Sequence, residues 1–146
     1  MPFKKTAVVF PGQGSQSVGM LLDYFDAESS FRNTFSKASE ILKINLFELI
    51  KSGTKESLAV TSVTQPLMLV SDLALWNLIS NKIKEPVCFA GHSLGEYAAL
   101  VASEVLSFED SLYLVEIRAK LMQEAVPEGE GGIAAIIGLN EKTITS

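Results

Sequence analysis

The chain has 146 residues, 12 Lys+Arg against 17 Asp+Glu and a formal net charge of −5, with 47% apolar and 20% charged residues. That is the profile of a globular domain, not of a disordered segment, and the acidic balance argues against a nucleic-acid binder, which needs a basic stripe to displace counterions. One cysteine, Cys88, excludes an internal disulfide framework and a Cys-rich metal site, and one histidine, His92, removes most remaining metal constellations.

Lys4-Lys5 precedes only Ala7–Phe10 before Pro11-Gly12, too short a run for a signal-peptide core. Other apolar runs, such as Ile133–Ile137, fall far below the ~18 residues of a membrane span. The expected compartment is the cytoplasm, with no membrane partner. Thr6–Phe10 (T-A-V-V-F) reads as a short buried strand, β-branched and cut off by Pro-Gly. The flexible loop Gly12-Gln13-Gly14-Ser15-Gln16 follows it. Phe31, Phe35, Ala38, Ile41 and Leu42 predict one helix over Asp26–Leu42, and a second spans Asn45–Ile50, with Gly53 as its stop. Thr64 before Gln65-Pro66 predicts the start of a helix running to about Asn81, with the proline in its first turn. That helix is apolar nearly all round, which predicts burial on most sides.

Pro86–Gly91 reads as a second buried strand, and Leu94–Ala102 as a helix leaving it through a sharp turn. Ser107 with Asp110 has the form of a capping box opening a helix over about Phe108–Val126. Pro127–Gly132 is a Gly/Glu-rich break and the candidate subdomain boundary. Ile133–Leu139 then reads as a strand whose sheet partners are not in this sequence. No internal repeat interrupts the pattern. Helices alternating with short apolar strands predict an α/β fold with a parallel sheet.

The strongest chemical signal is Gly91-His92-Ser93-Leu94-Gly95, a G-x-S-x-G between a predicted strand and a predicted helix. In such a nucleophile elbow a strained turn presents the serine at the carboxyl end of the strand. Glycines two before and two after let the backbone turn tightly, and the helix N-terminus helps to stabilise a developing oxyanion. The bland alternative is an ordinary strand–helix turn. Arg118 is the second signal. Leu114, Val115, Leu121 and Met122 flank it at helical spacing, so it falls on an apolar stripe, whereas Glu116, Lys120 and Glu124 mark a solvated face. A guanidinium there needs a partner. Either it forms a structural ion pair, or its planar fork clamps an anionic substrate.

The Gly12–Gln16 loop lacks G-K-[ST] and G-x-G-x-x-G, so it is no phosphate loop. Its place at a strand's carboxyl end suits it to offer a second oxyanion donor, and a plain surface turn is the alternative. His92 adjoins Ser93, and neighbouring side chains diverge, so it suits support of the elbow better than the role of base. Cys88 reads as an inert buried residue and Trp76 as core. An activated serine needs a base, usually histidine, and the single histidine is in the wrong position.

Phe10-Pro11-Gly12-Gln13-Gly14-Ser15-Gln16, Thr64-Gln65-Pro66, Gly91–Leu100 (G-H-S-L-G-E-Y-A-A-L) and Arg118 with Met122-Gln123 occur in order. The series resembles the malonyl-CoA:acyl carrier protein transacylases of type II fatty-acid synthesis and is similar to the acyltransferase domains of polyketide and fatty-acid synthases. Ala119 departs from the glycine usual after the arginine, a small residue for a small one. Members of that family are longer, so the chain corresponds to their N-terminal half, without the segment that carries the family's catalytic histidine. The resemblance implies an α/β-hydrolase-like large subdomain over residues 1–127 and the start of a ferredoxin-like small subdomain over 128–146.

It also implies roles. Ser93 attacks the malonyl thioester, backbone N–H groups of Gln13 and Leu94 form the oxyanion hole, and Arg118 holds the malonyl carboxylate. Gln13 also contacts substrate, while His92 and Gln65 support the site. Leu94 beside the serine resembles malonyl-selective members. Malonyl-CoA is the substrate, acyl carrier protein the partner, and no cofactor or metal is implied. Two rivals stand beside this reading: a serine esterase or thioesterase that passes the acyl group to water, and a non-catalytic fragment that binds carrier protein or CoA.

Overall fold

Two short parallel strands anchor the structure, a computed structural model that describes residues 5–127, 129–131, 136–139 and 141–144. Strand β1 (Ala7–Phe10) pairs with β2 (Cys88–Gly91) in the register Ala7 to Cys88 and Phe10 to Gly91. Five helices make the connection between them: α1 (Leu22–Ala27), α2 (Ser29–Leu42), α3 (Leu46–Ser52), α4 (Lys55–Ala59) and α5 (Thr61–Ile79), followed by a 3-10 turn at Ser80–Lys82. After β2 come α6 (Gly95–Ala102), α7 (Phe108–Glu124) and a short α8 (Glu141–Ile144). The α/β fold with a parallel sheet is therefore observed, as a small sheet among helices.

Both strands differ from the expected burial. Val8 and Phe10 point into the core, but Val9 is 71% exposed, and Cys88 is exposed too. Parallel sheets are normally covered on both faces. Here the helices cover one: Phe10 and Phe89 both pack edge-on against Trp76 of α5, with ring centroids 6.4 and 5.3 Å away. The bare face also corrects the reading of Cys88 as a buried residue.

The helix expected over Asp26–Leu42 is two helices. Glu28 adopts an extended conformation (φ −122°, ψ 111°) between α1 and α2. The break lets Phe25 fold back onto Phe31, Phe35 and Phe47, at centroid separations of 5.0, 4.6 and 4.1 Å. Burying each such ring is worth about 1.5–3 kcal/mol, more than one continuous helix would gain from its extra backbone bonds. Asn45 caps α3 by accepting from the Glu48 N–H at 3.0 Å. Thr54 and Ser57 form a reciprocal capping box that starts α4, an element the hydrophobic pattern does not announce.

Helix α5 begins earlier than expected, at Thr61, which puts Pro66 inside the helix and not in its first turn. The carbonyl of Val60 opens it, accepting from Val63 N–H and Thr64 N–H at 2.9 and 2.8 Å. Pro66 offers no N–H to continue that pattern. From Thr64 to Ala74 the helix is buried continuously, as its all-round apolar character predicts, but Asp72 is buried with it. Its Oδ2 has no partner among the described residues, and burial raises its pKa to about 7.

Helix α7 is capped as its sequence predicts, with Ser107 Oγ accepting from Asp110 N–H at 3.0 Å. Residues 132–135 lie outside the described residues, so the expected strand at Ile133–Leu139 is only partly in view. Its described portion, residues 136–139, is irregular and exposed. None of the helices among the described residues is long and apolar enough to cross a membrane.

Candidate active site

The predicted elbow is a tight corner between β2 and α6. Ser93 sits at φ +54°, in the left-handed region that costs a non-glycine residue about 1–2 kcal/mol. The two flanking glycines are needed for close approach. A Cβ on Gly91 would run into the backbone of Gly95, and one on Gly95 would sit 2.5 Å from the Pro11 carbonyl oxygen. The end of β1 thus passes directly over the first turn of α6. His92 holds this crossing together through its backbone, donating to the Phe10 carbonyl at 3.1 Å and accepting from Gly95 N–H at 3.0 Å. Its ring lies against Gly12, where an added Cβ would come within 3.1 Å of Nδ1.

Ser93 is exposed, while Leu94 beside it is 1% exposed and fixes α6 in the core. Leu94 stands at the N-cap of α6, where amides and helix dipole favour negative charge. The loop carrying Gln13 is irregular, as its glycines predict, and side-chain bonds hold it. Gln13 Nε2 donates to Thr61 Oγ1 at 3.2 Å, and Gln16 spans from Gly14 N–H (2.8 Å) to the Leu58 carbonyl (3.1 Å). Both glutamines tie the loop to the corner between α4 and α5.

Arg118 reaches Ser93 from α7. Its Nη2 donates to Ser93 Oγ at 3.0 Å, its Nη1 donates to Gln65 Oε1, and its guanidinium lies 5.8 Å from the Tyr97 ring centroid. The fully buried Gln65 turns its Nε2 to Met122 Sδ at 3.4 Å. Arg118 is half-buried, and of its four helical neighbours only Val115 is in the core. Leu114, Leu121 and Met122 are exposed. The buried stripe of α7 runs instead through Ser111, Leu112, Val115 and Ala119, so Arg118 lies at its edge, aimed along α6. Among the described residues no carboxylate pairs with it; the ion pair there joins Lys37 to Glu109. The structural ion pair considered from sequence is thus absent among the described residues.

The structure therefore brings together Ser93, Leu94, Arg118 and Gln65, and adds Tyr97 and Met122. Local sequence pattern missed those two as site residues, because Met122 meets Gln65 across 57 residues. No group of three or more metal-ligating side chains exists among the described residues. Two clefts of about 560 Å³ lie elsewhere, one floored by Phe25, Phe35 and Phe47, the other by Leu73, Trp76 and Phe108. The serines and threonine that line them (Ser36, Ser39, Thr34 and Ser80) sit on ordinary helical backbone and not on a strained corner, so chemistry and not volume marks the site. An exposed hydroxyl on a strained corner, at a helix N-terminus and against an unpaired cation, is suited to covalent transfer of an anionic acyl group.

The malonyl CoA-acyl carrier protein transacylase of Haemophilus influenzae is 48% identical over 143 residues, covering 97% of this chain and 46% of the relative. The structure of the malonyl CoA-acyl carrier protein transacylase from Coxiella burnetii matches with a TM-score of 0.90 at 46% identity, over 97% of this chain and 45% of that one. A malonyl-transacylase solved in complex with a type II PKS acyl-carrier protein matches with a TM-score of 0.82 at 48% identity, over 86% of this chain and 41% of that one. The chain thus spans about half the length of the curated relatives it matches, 46% of the H. influenzae protein. The family model for the acyl transferase domain matches residues 7–145, and the chain belongs to that family.

Proposed function

We propose that the protein moves a malonyl group from malonyl-CoA to the phosphopantetheine thiol of acyl carrier protein, in cytoplasmic fatty-acid synthesis. The observation that carries this reading is the Arg118 guanidinium, unpaired by any carboxylate among the described residues and 3.0 Å from the Ser93 hydroxyl. Ser93 Oγ attacks the thioester carbonyl and gives up its proton to a base. The tetrahedral oxyanion is held by the backbone N–H groups of Leu94 and Gln13, and collapse breaks the C–S bond to release CoA as its thiol. The carrier thiol then attacks the Ser93 ester. Its proton returns to Oγ, and malonyl-loaded carrier leaves. No cofactor enters this route.

Arg118 takes the malonyl carboxylate in two parallel hydrogen bonds. An acetyl group leaves that donor pair without an anion, so it is disfavoured. His92 supports the corner and Gln65 supports Arg118. Residues 1–127 belong to the α/β-hydrolase-like large subdomain, and 128–146 begin the ferredoxin-like one. The base for Ser93 comes from outside these 146 residues, since their one histidine is His92.

The test is single-turnover labelling with radioactive malonyl-CoA. A labelled ester that disappears in Ser93→Ala, and that passes to added acyl carrier protein, supports the transferase. Release of the label as free malonate in preference to carrier loading would make the protein a hydrolase. No ester under any condition would leave the non-catalytic binder.

A further inference from the structure

Gln65 is completely buried, and its amide has two chemically distinct ends facing two groups of opposite character. Arg118 can only donate hydrogen bonds, so the end facing it must be the carbonyl oxygen. The other end, Nε2, then meets Met122 Sδ at 3.4 Å, and a thioether can only accept. Turning the amide over would set N–H against N–H at Arg118 and oxygen against sulfur at Met122. Both mismatches would leave the buried Gln65 amide unsatisfied, and an unsatisfied buried polar group is costly. Arginine and sulfur thus favour the same orientation, and the sulfur anchors the far end of the amide that holds Nη1 of Arg118.

We propose that Met122 is a positioning residue for acyl selection, one that acts through Gln65 to hold the Arg118 fork aimed at Ser93. The inference rests on the malonyl-transfer reading above and assigns a role to a side chain whose hydrogen bond goes to Gln65 and not to the nucleophile. Met122 lies in the last turns of α7 and is 42% exposed, so filling of the core does not account for its place beside Gln65. An isosteric hydrocarbon fills the same space and removes only the acceptor. Because the arginine grips the carboxylate equally in ground and transition states, its misalignment shows in half-saturation, not in the maximal rate.

The experiment compares the protein, assayed together with the segment that supplies the base, with its Met122→Leu and Met122→Gln variants in single-turnover Ser93 labelling, over a concentration series of malonyl-CoA and of acetyl-CoA. Met122→Leu is expected to raise the half-saturating malonyl-CoA concentration about threefold to tenfold, the loss of one modest hydrogen bond. The maximal labelling rate changes less than about twofold, as does half-saturation by acetyl-CoA. Met122→Gln, which restores an acceptor oxygen on an unbranched side chain, brings malonyl half-saturation back toward the parent value. An unchanged malonyl preference in Met122→Leu, equal losses for both acyl groups, or failure of Met122→Gln to restore would each overturn the role of Met122 while leaving malonyl transfer standing. Absence of any Ser93 ester in the parent protein, assayed together with the segment that supplies the base, would instead overturn the transfer reading, and this inference with it.

Discussion

The Nη2 of Arg118 lies 3.0 Å from the Oγ of Ser93, across 25 residues of sequence. The hydroxyl accepts this bond, so its own proton points elsewhere and stays available to a base. On the proposed reading, this fixed positive charge beside the nucleophile is there to attract an acyl group bearing a carboxylate.

Replacing that cation should separate the two substrates. Arg118→Ala is expected to reduce malonyl loading of Ser93 about 10²-fold, the scale of losing a charged, partly desolvated hydrogen-bonded contact. Acetyl loading falls far less. Labelling with the two CoA thioesters side by side checks this, and equal losses would show the arginine to be structural.

The strain at the corner is measurable without chemistry. Ser93→Ala and Ser93→Gly both remove the nucleophile, but only glycine adopts φ +54° freely. Ser93→Gly should therefore be the more stable of the two by about 1 kcal/mol, read from paired denaturant titrations. Equal stabilities would mean that the turn relaxes once the hydroxyl is gone.

The buried carboxyl of Asp72 predicts an unusual pH dependence. Burial raises its pKa to about 7, so between the unfolded value and about 7 the native state keeps a proton that the unfolded chain releases. Stability then falls as pH rises through that window and levels off above it. From pH 5 to 8 the loss is about 2–3 kcal/mol. Thermal melts at the two pH values check it, and Asp72→Asn should remove most of the difference.

Catalysis by the 146 residues alone should be slow. His92 is their one histidine, and its ring lies against Gly12 while the Ser93 hydroxyl bonds to Arg118. Steady-state transfer to carrier protein is expected to fall well below the about 1–10³ s⁻¹ usual for complete enzymes. Rates within that range would mean that His92 swings round to serve as base.

Much of the site was legible because its determinants are local. The glycines of Gly91–Gly95 encode a tight corner within five residues, and Ser107 announces a helix through Asp110, three places on. Where pattern and structure part, the cause lies at a distance. The helical spacing of Phe31, Phe35 and Leu42 says nothing about Phe25 folding back onto them, so the break at Glu28 stays hidden. Pro66 suggests a first turn by local preference, but the carbonyl of Val60 opens the helix earlier. The apolar spacing around Arg118 predicts a buried stripe, yet the core selects the neighbouring face through Ala119. The bonds from Gln65 to Arg118 and Met122 join α5 to α7 across more than fifty residues, beyond the reach of any periodicity.

The bare outer face of the sheet has a practical consequence. Its first registered pair sets Ala7 beside Cys88, the chain's sole thiol, and that thiol is exposed. A disulfide reagent such as Ellman's compound therefore has one point of attack, situated on the face that the described helices leave open. Any polypeptide that comes to lie over those strands will slow the colour change, which turns a single sulfur into a built-in gauge of whether the domain is fully clothed.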